Sequence, residues 1–300
     1  MLAPIQLHPN GPTLSRLTAG VMTWGVWGHN LPIKDMQSLI EHCLSEGITT
    51  FDHADIYGHY TTEATFGNAW AGMSIDRSSV QLISKCGIRL VCEQRPENHI
   101  KAYDTSKEYI IQSAEQSLKN LQTDYLDLLL VHRPSPLMRA EEVAAAFAEL
   151  KASGKVLHFG VSNFTSSQVD YLRAQTPLVT NQVQASLLHD KPFFDGTFDQ
   201  ALQYQMCPMA WSPLGGLFSR DDDAARRVAD ALDDVGEKYG SPGSDVLLLA
   251  WLLHHPAGII PVLGTARQSR LSAAVKALDI QFEDQDWFTL LEAARGHEVA

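Results

Sequence analysis

The sequence predicts an α/β chain folded as a (β/α)8 TIM barrel with an N-terminal β-hairpin. Three observations lead there. Short apolar runs alternate with segments of helical period from about residue 17 to about residue 276. Eight such pairs can be counted, and the ~250 residues usual for a barrel fit inside a chain of 300. The apolar runs end in polar or aromatic residues, as buried parallel strands do where they open onto loops at a barrel mouth.

Taken in order, Ile5–His8 and Thr13–Arg16, joined by Pro9-Asn10-Gly11-Pro12, read as a hairpin, because Asn-Gly is a strong turn signal. It is placed to plug the barrel bottom. The strands follow as Leu17–Met22, Thr49–Asp52, Val80–Lys85, Tyr125–Val131, His158–Ser162, Leu178–Val183, Pro208–Trp211 and Ile259–Leu263. Helices are expected at Asp35–Glu46, Glu63–Trp70, Thr105–Leu121, Ala140–Ser153, Thr165–Ala174, Phe198–Gln203, Asp245–His255 and Arg267–Lys276. Thr105-Ser106-Lys107-Glu108 reads as a capping box, and Gly154 as the glycine that closes a helix. Asp221–Tyr239 is an acidic helical insertion after the seventh strand, and Ser186–Thr197, with Phe193 and Phe194, is expected outside the barrel. No shift in composition marks a linker, so residues 1–300 read as one domain.

Composition narrows the function. Apolar residues make up 45% and charged residues 19%, enough for a large core and against disorder. A formal net charge of −12 without a basic run argues against nucleic acid, although a local pair of arginines could still hold an anionic cofactor. The four cysteines form neither a CxxC pair nor a zinc-like spacing, so scattered reduced thiols and no metal are expected. Met1-Leu2-Ala3-Pro4-Ile5 lacks the basic start of a signal peptide, and Val246–Leu253 falls short of the ~20 residues of a membrane span. A soluble, cytoplasmic protein without a membrane partner follows as the expectation.

The strand ends carry the chemistry. Asp52, Lys85, His132, Ser162, Gln182, Trp211 and Gly264 close their runs, which would gather charged, amide, hydroxyl and aromatic groups at one mouth. Tyr57 lies on the loop leaving the second strand. A phenol with a pKa of ~10 suits donation of a proton to a developing alkoxide, and a nearby lysine stabilises the phenolate. An aspartate beside that lysine keeps it charged, and a histidine can direct a carbonyl oxygen toward the tyrosine. Each residue alone has an ordinary structural explanation; their joint placement on consecutive strands does not.

Phe-Asp-x-Ala-x-x-Tyr-Gly at 51–58, Ile-Ser-Lys at 83–85, Leu-Leu-Val-His at 129–132, Gly-Val-Ser-Asn-Phe at 160–164 and Asn-Gln-Val at 181–183 together resemble the aldo-keto reductases, in that family's order. The resemblance covers roughly Leu14 to Ala274. It implies an NADPH-dependent oxidoreductase that reduces aldehyde or ketone carbonyls, with Tyr57 as general acid, Lys85 and His132 assisting, and Asp52 paired with Lys85. It further implies that Met22, Thr23 and Trp24 border the nicotinamide and substrate, with Trp24 and Trp27 as apolar walls. Ser162, Asn163 and Gln182 would bond the nicotinamide carboxamide, and Trp211 would stack on its ring. Ser212, Pro213, Leu214, Gly215, Gly216 and Leu217 would lie along the pyrophosphate.

Leu263, Gly264, Thr265, Arg267 and Arg270 surround a helix N-terminus, an anion site in chemistry and position. The resemblance assigns it to the adenosine 2′-phosphate, hence NADPH over NADH. Gly264 stands where many members have lysine, and Ala274 where an adenine-contacting asparagine is common. No Gly-x-Gly-x-x-Gly follows the first strand, which disfavours a doubly wound dinucleotide domain.

A metal-dependent barrel hydrolase could be imagined on Asp52, His53, Asp55 and His132. The first strand, however, ends in Gly20-Val21-Met22 rather than His-x-His, and no His-Glu-x-x-His is present. An NADPH-binding redox sensor or regulatory barrel with little turnover would carry the same residues, so that reading stays open. A small-molecule carbonyl substrate and a monomer are the expected partner and state.

Overall fold

In the computed structural model, which describes residues 3–299, eight parallel strands close into a barrel wrapped by helices. Met1, Leu2 and Ala300 lie outside the described residues, so the start of the N-terminal stretch read above does too. The chain opens with the hairpin β1 (Ile5–Gln6) and β2 (Thr13–Leu14), antiparallel with Ile5 opposite Leu14. It continues through β3 (Thr18–Gly20), α1 (Ile33–Ser45), β4 (Thr50–Asp52), the single turn α2 (Tyr57–Tyr60), α3 (Thr62–Trp70) and β5 (Gln81–Cys86). A small antiparallel pair, β6 (Ile88–Arg89) and β7 (Ala102–Tyr103), precedes α4 (Lys107–Leu121). Then come β8 (Leu126–Val131), α5 (Ala140–Ala152), β9 (Val156–Ser162), α6 (Ser166–Arg173), β10 (Asn181–Gln184) and α7 (Thr197–Gln203). The chain ends with β11 (Met209–Trp211), α8 (Asp223–Lys238), α9 (Ser244–Leu253), β12 (Ile260–Leu263), α10 (Gln268–Val275) and α11 (Asp284–Arg295). The ring runs β3-β4-β5-β8-β9-β10-β11-β12 and closes on β3.

Alternation along the strands divides the core. On β8, Leu128 and Leu130 join Ile83, Met209, Ile260 and Val262 in one buried cluster inside the ring, while Leu129 and Val131 pack outward under the helices. The hairpin's Leu7 and Leu14 belong to the inner cluster, fully buried. They fill the floor of the barrel, and the loops after each strand are left to shape its opposite end.

Several local readings are corrected. The expected capping box at Thr105–Glu108 does not form: the cap lies one residue later, with Ser106 Oγ accepting from Tyr109 N–H, and Ser106 itself is held by Asp104. A capping box occurs instead at Thr165 and Gln168. Gly154 takes the left-handed conformation just past α5, as anticipated. The sixth strand begins at Asn181 rather than Leu178, because Pro177 has no N–H and only Val179 N–H reaches β9 beforehand.

The pair β6–β7 and helix α11 were not anticipated. Helix α11 is held by stacked Trp251 and Trp287, centroids 4.6 Å apart, each indole N–H donating to the other's backbone carbonyl at 3.0 and 3.1 Å. Phe193 packs on the same tryptophans, outside the ring as expected. No described helix is long and apolar enough to cross a membrane.

If the hairpin is part of the core, Leu14→Ala should cost about 2–5 kcal/mol of stability, the range for truncating a buried leucine. Urea unfolding measures this. A loss below about 1 kcal/mol would mean the plug contributes little.

Candidate active site

At the open end, the barrel register brings Asp52, Lys85, Tyr57 and His132 together. Asp52 ends β4 and Lys85 lies near the end of neighbouring β5, while His132 directly follows β8. Lys85 is 1% exposed, so each of its ammonium hydrogens needs an acceptor. It donates to Asp52 Oδ2 at 2.6 Å, to the His53 carbonyl at 2.8 Å and to Tyr57 Oη at 3.1 Å. All three ammonium hydrogens are thereby used. The Tyr57 oxygen acts as an acceptor here, and its own hydrogen remains free to donate.

The loop geometry follows from Gly58. Its φ of +59° is left-handed, and a Cβ there would lie 2.4 Å from Thr62 Oγ1, so neither the turn nor the space admits a larger residue. This turn folds Tyr57 back over Lys85. His59, also left-handed, receives the Trp27 indole N–H at 3.2 Å and fixes that ring beside Tyr57.

Burial raises the Tyr57 hydroxyl above the ordinary phenol range, against the downward pull of Lys85. For Lys85, burial opposes the charge, but Asp52 and Tyr57 prevail and hold it above the usual lysine value. His132 is pushed well below the usual histidine value by burial and by the Lys85, Arg133 and Lys101 charges. The site thus pairs a neutral phenol and a neutral imidazole with a persistent ammonium. The two rings stand edge to face at 6.0 Å, and His132 Nδ1 has no hydrogen-bond partner.

Behind this group lie further buried titratable side chains. His53 turns away from the mouth onto Phe66, and burial lowers it to about 3. Asp55 and Glu63 are both raised by burial, and Glu63 accepts from Ser84 at 2.6 Å. Among the described residues, no group of three or more His, Cys, Asp or Glu is arranged to hold a metal ion.

Ser162, Asn163, Gln182 and Trp211 also meet at the mouth, but their polar atoms largely satisfy one another. Ser162 Oγ donates to the Gln182 carbonyl and accepts from Asn163 Nδ2 at 2.7 Å. The Trp211 indole donates to Asn163 Oδ1 at 2.9 Å. Gln182 Nε2 donates to Asp52 Oδ1 at 3.0 Å, which ties this group to the lysine. The bonds these groups make to one another were not legible in the sequence.

The mouth is a cavity of about 480 Å³ whose lining includes Met22, Thr23, Trp27, Asp52, Tyr57, His132, Asn163, Gln182 and Trp211. It shares Ser212 and Gly264 with a groove of about 410 Å³ running outward. Ser212, Pro213, Leu214, Gly215 and Gly216 line the groove, facing Leu263, Gly264, Thr265 and Arg270. Gly215 is left-handed, and a Cβ there would meet Ser186 Oγ at 2.7 Å, so the loop lies close over β10's exit.

Three expected positions fall elsewhere. Trp24 is fully buried against Phe51 and Phe66, with its indole N–H on the Thr265 carbonyl, so it supports the groove loop and forms no wall of the mouth. Leu217 is buried in the core, and Phe218 lines the groove instead. Arg267 caps α10 from an exposed position outside the groove lining, which leaves Arg270 as the groove's arginine. Missed from sequence were Asp245 in the groove and Ile56 and Arg133 at the mouth; Ile88, Leu90 and Lys101 also line the mouth. For Arg133 a signal existed, since it directly follows a strand-end histidine.

Comparison with known proteins agrees with this geometry. An uncharacterised oxidoreductase of Bacillus subtilis (strain 168), YcsN, is 45% identical over 289 residues, covering 95% of this chain and 96% of its own length. A 6-dehydroglucose reductase of Agrobacterium fabrum (strain C58) is 42% identical over 291 residues, 96% of each chain. The crystal structure of a thermostable aldo-keto reductase in complex with the inhibitor epalrestat superimposes with a TM-score of 0.81 at 25% identity, covering 97% of this chain and 100% of that one. The family model described as Aldo/keto reductase family matches residues 16–295, the whole ring with its active end, and this chain belongs to that family of oxidoreductases.

Proposed function

We propose that the protein reduces aldehyde or ketone carbonyls with NADPH, using Tyr57 as general acid. The observation that carries this reading is the Lys85 ammonium, which spends one hydrogen on Tyr57 Oη and so leaves the phenol's hydrogen for a substrate. A reduced nicotinamide, when bound, supplies the hydride. The protein's residues then manage the oxygen. Tyr57 donates its proton to the carbonyl oxygen as negative charge develops there, and Lys85 stabilises the resulting phenolate. Asp52 and Gln182 keep Lys85 charged and oriented. Neutral His132 directs the carbonyl oxygen toward Tyr57 by a hydrogen bond.

The groove fits a dinucleotide in shape and chemistry. It is continuous with the mouth, its glycines allow close backbone approach, and it ends at Arg270 beside a helix N-terminus. Trp211 offers an aromatic face at the junction, and Ser162, Asn163 and Gln182 would exchange bonds among themselves for bonds to a carboxamide. Asp245 also lines the groove, with Oδ1 occupied by the Val246 N–H. The preference for NADPH over NADH therefore rests on Arg270. The relative named 6-dehydroglucose reductase supports a carbonyl substrate. We read residues 1–300 as one domain, working in the cytoplasm as a monomer because one chain supplies the complete site. A dimer mass in light scattering would overturn the monomer.

Tyr57→Phe removes only the donating group and should lower kcat by about 10²–10⁴-fold while NADPH affinity changes little. Because Tyr57 is raised above 10 and His132 is already neutral, wild-type kcat for reduction should stay flat from about pH 6 to about 9. An inflection near 6.5 would mean that His132 titrates. Retention of more than half of turnover by Tyr57→Phe would defeat the mechanism and favour a redox sensor.

Arg270→Ala should weaken NADPH about ten- to a hundredfold and NADH far less, the loss expected for a charge-assisted contact. Equal wild-type affinity for both nucleotides in fluorescence titration would remove the assignment of this groove end.

A further inference from the structure

We propose that the substrate is a small carbonyl compound rich in oxygen acceptors, bearing a carboxylate or a run of hydroxyls, which Arg133 and Lys101 hold at the mouth. The inference rests on the carbonyl-reductase reading above. The mouth has two unlike sides. Met22, Trp27, Ile56, Ile88 and Leu90 form an apolar wall, while Lys101 and Arg133 enter from β7's approach and β8's exit. Asp52 is the sole carboxylate in this lining, and its oxygens are taken by Lys85 and Gln182. Neither Lys101 nor Arg133 makes an ion pair among the described residues.

On a chain of net charge −12 this cavity thus presents two cations without counter-ions, of which Lys101 is exposed to solvent. Both line the cavity that also holds Tyr57 and His132. Both push His132 down, and Arg133 also pulls on Tyr57. Arg133 is half-buried, with its guanidinium carbon 5.7 Å above the Trp211 ring, so the junction with the groove helps hold it in place. Guanidinium and ammonium groups are donors only, and the occupant must supply acceptors. Arginine's planar fork matches a carboxylate or adjacent hydroxyl oxygens, and a positive mouth on an acidic protein concentrates such molecules. An apolar aldehyde would leave both cations facing it unpaired.

The test compares wild type, Arg133→Leu and Arg133→Lys with NADPH and three aldehydes of similar size: butanal, succinic semialdehyde and glyceraldehyde. Wild type should prefer the two acceptor-bearing aldehydes over butanal by at least about tenfold in kcat/KM. Arg133→Leu should reduce that preference about ten- to a hundredfold, chiefly through KM, and Arg133→Lys should restore part of it. Loss confined to the semialdehyde identifies a carboxylate substrate; loss with both identifies oxygen acceptors generally. An equal loss on all three aldehydes, or a parallel rise in the Kd for NADPH, would overturn the inference by making Arg133 structural or a cofactor ligand. Tryptophan fluorescence titrated with butyrate against butyramide needs no turnover. Binding of either ligand that Arg133→Leu abolishes supports the inference, loss of butyrate alone marking a carboxylate, and binding that Arg133→Leu leaves unchanged overturns it. If wild type reduces no aldehyde, the carbonyl-reductase reading fails by itself, and this titration still decides what the mouth binds.

Discussion

A fully buried ammonium must find an acceptor for each of its three hydrogens, because an unpaired charge in an apolar interior costs several kcal/mol. Lys85 meets this demand with partners from three kinds of structure: a side chain on the adjacent strand, a backbone carbonyl, and a tyrosine brought back by a loop. Much of the active end follows from that requirement. The β4–β5 register has to leave Asp52 within reach of Lys85. The His53 peptide has to present its carbonyl, with the His53 ring turned aside onto Phe66. The loop has to reverse at Gly58 so that Tyr57 arrives as the third acceptor. Placing a phenol at the mouth and satisfying a buried lysine are one geometric problem here.

The closed ring carries this local arrangement across the barrel. Gln182, on β10, spans the mouth to the free oxygen of Asp52, and its backbone carbonyl receives Ser162 from β9. Asn163 and Trp211 extend the chain of bonds to β11. Ser162, Asn163, Gln182 and Trp211 therefore each have an orientation set by a bond to another strand. Such preorganisation suits a site in which a small charge movement on one oxygen has to be met without rearrangement. It also couples the β9–β10 side of the mouth to the lysine through two hydrogen bonds.

The charge distribution separates two tasks. The exterior is acidic, with Asp221, Asp223 and Asp284 widely exposed. The mouth instead presents Lys101 and Arg133, and the groove carries Arg270 along with Asp245. Net charge speaks for solubility and long-range repulsion of nucleic acid, while the local excess of donors sets the field at the mouth. A whole-chain count cannot reveal such an inversion.

The alternation of apolar runs and helical segments determined the barrel, because a parallel strand covered on both faces has to be apolar throughout and its end has to turn polar. The residues at those ends, Asp52, Lys85, His132, Ser162 and Trp211, were legible for the same reason: each carries its signal within a few positions of its own run. The tertiary structure decided what depends on direction and on distant partners. Gln182 bonds Asp52 across 130 positions of sequence, which no local pattern encodes. Trp24 is in the right loop but points into the core, and Arg270 faces the groove while Arg267, three positions earlier, does not. Helix α11 exists because two tryptophans far apart in sequence stack and exchange backbone hydrogen bonds. Periodicity records which positions avoid water; where a side chain points after its strand has ended, and what it meets there, is set by packing between segments that only the closed barrel brings together.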